Sequence, residues 1–181
     1  MSAKDVKYRP IGIADLMILI AATAAGLSFC REFDRRLTSL QWGPRSERRY
    51  RVVATAPFLT SGSLAVLIVR ARRPRPSRRR IVRQPGSLAA IVAIGLIALR
   101  MPILAATRFF LHGEPIDGSW WITATRDLSS QVGLVIVTSW FALSAAGLWR
   151  AEPSWIDRAG RLVALGWITL FLALGWQNLG T

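Results

Sequence analysis

The sequence predicts an all-α integral membrane protein, a bundle of about five transmembrane helices forming a single membrane domain over residues 1–181. Two observations predict it. Of 181 residues 52% are hydrophobic, mean hydropathy is +0.34, and charged residues make up 19%, against about 25% in a typical soluble domain. The charges also gather in blocks between apolar runs instead of alternating with them. A bilayer core of about 30 Å requires roughly 20 apolar residues as helix. Five runs meet that requirement: 11–30, 52–69, 87–110, 128–149 and 162–179.

The first run follows Lys4, Lys7 and Arg9 and contains the small residues of 21–26. It therefore also fits a signal peptide cleaved after Ala22-Thr23-Ala24. Asp15 favours an uncleaved anchor, because a carboxylate in the first turn of a helix is stabilised by exposed N–H groups and the helix dipole. Beyond Cys30, residues Phe29, Phe33, Leu37 and Leu40 keep helical spacing while Arg31, Arg35 and Arg36 fall elsewhere on the wheel. This predicts a basic amphipathic extension lying along the outer surface. In the second run, Pro57 and Thr60-Ser61-Gly62-Ser63 also permit a re-entrant hairpin. That hairpin, or cleavage of the first segment, would leave four spans. The third run contains Arg100 and Pro102. The fourth is preceded by Trp120 and Trp121, suited to a membrane interface, and ends at Trp149. The fifth carries Ala-Leu-Gly-Trp twice, nine residues apart, which sets Trp167 and Trp176 on opposite sides.

Orientation follows from the basic residues, which stay on the cytoplasmic side. With the N-terminus inside, inner segments hold fourteen: Lys4, Lys7, Arg9, the eight arginines of 70–83, and Arg150, Arg158 and Arg161. Outer segments hold nine, seven of them in the first loop with Arg108 and Arg126 beyond it. The expected location is therefore a bacterial cytoplasmic (inner) membrane with the N-terminus inside, a basic cytoplasmic loop at 70–83, and the C-terminus outside.

Catalytic residue types are scarce. There is one cysteine and one histidine, His112, and no Gly-x-Ser-x-Gly, Walker, His-Glu-x-x-His or Gly-x-Gly-x-x-Gly pattern. No cofactor and no metal is expected, and the chain does not read as an enzyme. The segment His112, Gly113, Glu114, Pro115, Ile116, Asp117, Gly118 reads as a turn-rich loop and not as a metal site. Small residues four apart, Ala21 with Ala25, Ala22 with Gly26, Ala89 with Ala93, and Ala142 with Ala146, mark helix-packing faces.

Two places carry candidate sites. In the basic loop, Arg72, Arg73, Arg75, Arg78, Arg79 and Arg80 suit a topology signal and contact with anionic lipid head groups or a partner protein. Nucleic acid is a poor fit, since Pro74 and Pro76 prevent a groove-filling helix. In the third span Arg100 needs a partner, because a central arginine costs about 2.5–3.5 kcal/mol to insert. Depth excludes Asp15 and favours Asp127 or Gln131, one turn apart at the outer end of the fourth span. The expected result is a structural pair within a helical hairpin. The leading functional expectation is a non-enzymatic accessory, scaffold or interaction component, with lipids, a membrane partner or a second copy as contacts. The alternative is a small transporter or channel-like protein with an anion-attracting site at Arg100.

The run IADLMILIAATAAGLSF, and RARRPRPSRRRIVRQPG followed by an apolar span, resemble uncharacterised small multi-span membrane proteins of planctomycete-type high-GC bacteria. The resemblance covers roughly the first half of the chain. It implies a bacterial membrane setting and carries over no activity.

Overall fold

The computed structural model describes residues 11–39, 51–72, 82–113, 116–149 and 154–179. Its regular elements are α1 (Ile13–Ser39), α2 (Ala56–Ala71), α3 (Pro85–His112), α4 (Gly118–Ala145) and α5 (Trp155–Leu179). Five helices are long and apolar enough to cross a membrane.

Local chemistry sets the boundaries. A short turn over residues 51–55 leads into α2, where Pro57 sits in the first turn, a position that needs no N–H donor. Thr60 and Ser63 then bond back to Ala56 and Leu59. The Thr-Ser-Gly-Ser run thus continues the helix to Ala71, and the hairpin it would also permit is not formed. α3 ends at Gly113, whose φ of 63° is left-handed and suits a residue without a Cβ. Asp117 starts α4 by accepting from Trp120 N at 2.9 Å. The helix therefore begins ten residues before the apolar run that announces it. Ser154 caps α5 in the same way through Asp157 N, at 3.3 Å.

α5 packs against α2, α3 and α4, whereas α1 makes its main packing against α2. The core lies between α2, α3, α4 and α5, and includes Val53, Ala89, Ala93, Val132, Ile136, Trp167 and Leu174. Trp167 is 2% exposed and Trp176 79%, the opposed placement that nine-residue spacing predicts. Outward faces are strongly apolar: Met17, Phe29, Phe110, Phe141 and Leu162 are all largely exposed. Large apolar side chains left exposed in this number mark a surface that meets an apolar environment or a partner.

Candidate functional site

One end of the bundle gathers the start of α1, the end of α2, the start of α3, the end of α4 and the start of α5. Here α3 and α5 meet backbone to backbone. A Cβ on Gly160 would lie 2.7 Å from the carbonyl carbon of Gly86, and one on Gly86 would overlap the carbonyl oxygen of Asp157. Only glycine at both positions allows this approach. It places two helix N-termini, each partially positive, side by side.

Asp157 serves both termini. It lies in the first turn of α5, is fully buried, and accepts from Gly86 N in the first turn of α3 at 3.1 Å. Arg161, one turn on, approaches its other oxygen at 3.4 Å. A carboxylate taken out of water needs such partners, since an unpaired buried charge costs several kcal/mol. Trp140 Nε1 of α4 donates to Pro85 O at 3.1 Å, and Ser87 Oγ donates to buried Gln84 Oε1 at 3.3 Å.

A second buried carboxylate stands nearby. Asp15 is 1% exposed and accepts from Arg72 Nη1 at 3.1 Å and from Gly12 N at 3.3 Å. Arg72 follows the last turn of α2 and Gly86 opens α3. The described residues that flank the arginine-rich stretch are thus both held, Arg72 by Asp15 and Gly86 by Asp157. Of the basic-loop candidates, Arg72 is described and is half exposed at its side chain. Arg73, Arg75, Arg78, Arg79 and Arg80 lie outside the described residues, as does Glu114.

The pairing expected at Arg100 is not formed. Arg100 and Asp127 are both exposed, Gln131 is partly buried, and neither of the latter bonds to Arg100. Arg100 is seven residues beyond buried Ala93 and so lies on nearly the same stripe of α3. That stripe faces the core only in the first half of the helix, since no residue after Ala93 whose burial is described is buried. Depth alone could not reveal this change in burial. Pro102, which removes a backbone donor inside α3, lies within the less buried half.

At the opposite end a cavity of about 680 Å³ lies between α1, α2, α3 and α4, with Trp167 of α5 also lining it. Its α3 wall is Ile97 and Met101, and Glu32 and Arg36 stand at its rim. Beyond the rim, Asp117 sits 3.9 Å from Arg108 Nη2. The Trp120 N–H, then the Ser119 hydroxyl, hold the Asp117 carboxyl below the usual carboxylate range.

The buried acids were not singled out as sites by the sequence reading. Asp157 sits in a Pro-containing segment read as loop, and the signals available were the Ser154-x-x-Asp157 capping spacing and Gly160 four residues on. Among the described residues no group of three or more His, Cys, Asp or Glu side chains is placed to hold a metal.

The fold thus defines a class: an all-helical chain with five helices fit to span a membrane and a polar junction at one end. Comparison with protein-family models, curated proteins and solved structures finds no match.

Proposed function

We propose that the chain is a non-enzymatic, multi-pass component of a bacterial cytoplasmic membrane. Its N-terminus and arginine-rich segment face the cytoplasm and its C-terminus faces outward. It acts as an accessory or scaffold protein that presents the basic segment to a partner protein or to anionic head groups. The observation that carries this reading is the clamping of the described residues that flank the segment: Asp15 holds Arg72 and Asp157 holds Gly86. Buried carboxylates are thereby committed to fixing the base of a basic loop, an arrangement suited to display. The outward apolar faces supply the lipid-facing surface the reading requires. The anion-transport alternative draws less support, since Arg100 is not among the residues lining the cavity.

Two experiments test the reading. A C-terminal alkaline phosphatase fusion should be active and a green fluorescent fusion dark; the reverse pattern overturns the orientation. In native membranes, crosslinking should yield a defined adduct that Gln at Arg73, Arg75, Arg78, Arg79 and Arg80 abolishes while the thermal transition is retained. Anion flux through proteoliposomes that disappears in Arg100→Leu would replace the scaffold reading with the transport one.

A further inference from the structure

The cavity at the end remote from the arginine-rich segment has walls whose hydroxyl protons are already committed. Four hydroxyls line it, and each donates to its own helix: Thr60 to Ala56 O at 2.9 Å, Ser61 to Phe58 O at 2.8 Å, Thr125 to Trp121 O at 2.7 Å and Ser129 to Thr125 O at 2.6 Å. A hydroxyl carries one proton, so none is left to donate to an occupant. Trp167 likewise directs its N–H to Ser63 Oγ, at 3.2 Å. What the walls offer is carbon surface from residues such as Ala25, Phe29, Leu64 and Met101.

The rim is different. Glu32 is held by Arg35 at 2.9 Å and by Arg36 at 2.9 Å. Among the described residues this end of the bundle carries six arginines, Arg31, Arg35, Arg36, Arg51, Arg108 and Arg126, against the four acids Glu32, Asp34, Asp117 and Asp127, a formal excess of positive charge. An occupant matched to both parts has an apolar body and an anionic head. The dimensions argue against a partner helix: a cylinder about 10 Å across would fill 680 Å³ in less than about two turns. A flexible hydrocarbon chain can instead follow an irregular slot along its length.

We propose that this groove is a lipid site, holding one acyl chain of an anionic glycerophospholipid with its phosphate at Arg35 and Arg36. The inference rests on the membrane reading above and adds a ligand that reading does not assign. It differs from head-group contact at the basic segment in lying at the other end of the bundle, where the tail as well as the head is recognised. Glu32 accepts from Arg35 Nε and Nη2 and from Arg36 Nε, which fixes the two guanidinium groups beside one another.

The test is native mass spectrometry of the full chain, delipidated in detergent and titrated with phosphatidylglycerol and phosphatidylcholine of identical acyl chains. One phosphatidylglycerol per chain should be retained, with a preference over phosphatidylcholine of about fivefold, the size expected for a guanidinium beside an anionic head group. Arg36→Gln should reduce that preference toward equality while lipid is still retained. Ala25→Phe, and independently Leu64→Trp, should lower retention of both lipids at least about fivefold with the thermal transition unchanged. Equal retention of the two lipids by the wild type, or undiminished retention by both filled variants, overturns the proposal. So does a stoichiometric protein that occupies the site in place of lipid. Carbonate extraction of native membranes checks the membrane reading separately: a chain that stays in the pellet yet shows no lipid preference sinks this inference alone.

Discussion

The two ends of the bundle are built on opposite principles. At the arginine end, helices touch through glycine backbones and the buried carboxylates of Asp15 and Asp157 join elements distant in sequence. At the other end α3 buries no described side chain beyond Ala93, the charges sit on the surface, and a cavity of about 680 Å³ remains. The contrast shows that apolar helix faces alone do not determine how tightly helices close. Close approach appears where small residues and a specific hydrogen bond require it.

Substitutions at the tight end should sharpen the contrast most. Gly86→Leu has backbone, not a movable side chain, in its path, and should cost about 3 kcal/mol, the upper range for overpacking. A large fall in the detergent thermal transition is the expected readout, and a wild-type transition would show that the helices can part freely. Asp157→Ala removes the acceptor of Gly86 N and the partner of Arg161. A loss of about 2 kcal/mol is expected, that of a buried donor left unsatisfied. Asp15→Asn keeps the shape but removes the charge facing Arg72, whose side chain is 42% exposed. Solvent screening limits this loss to about 1 kcal/mol. At the open end, Met101→Ala should change stability by less than about 1 kcal/mol, because part of its surface already borders the cavity. If Met101→Ala proved as damaging as Gly86→Leu, the two-ended description would fail.

The smallest expected effect is a pH dependence at the α4 cap. Asp117 has a folded-state pKa below its ordinary value because Trp120 N–H and Ser119 bond the charged form. Its contribution is therefore present above the usual carboxylate range and is lost as pH falls through the lowered folded value. Asp117→Asn should flatten that part of a stability-against-pH curve, since an asparagine cap accepts the same bond without titrating.

Much of this architecture was legible in the sequence, and the gaps have definite causes. Apolar run lengths located all five helices, because a helix that meets hydrocarbon must be apolar over most of its length. They misplaced the start of α4, because Asp117 caps a helix whose first turns carry Ser119, Thr123, Thr125 and Arg126, which lower the hydropathy there. The seven residues added to α5 in front of its apolar run likewise follow from the Ser154 cap. The Arg100 pairing failed for a different reason: spacing along a chain gives depth, whereas partnership also needs the helices to stay together at that depth. Asp157 was missed because its burial depends on Gly86, seventy-one residues earlier. The alanine pairs divide, with Ala89 and Ala93 buried and Ala142 and Ala146 exposed, because only the first pair lies where α3 meets the core.

The position of α5 in the chain bears on how the molecule is assembled. It contacts three of the other helices, yet it follows all of them in sequence. During synthesis the Gly86 N–H must therefore wait for a residue seventy-one positions downstream, and the faces of α2, α3 and α4 must wait for α5. Until those residues emerge, α1 to α4 can pack only through the α1–α2, α2–α3 and α3–α4 contacts, and the faces that α5 covers stay open. The arrival of Asp157 at Gly86 ties α5 to α3 and completes the junction.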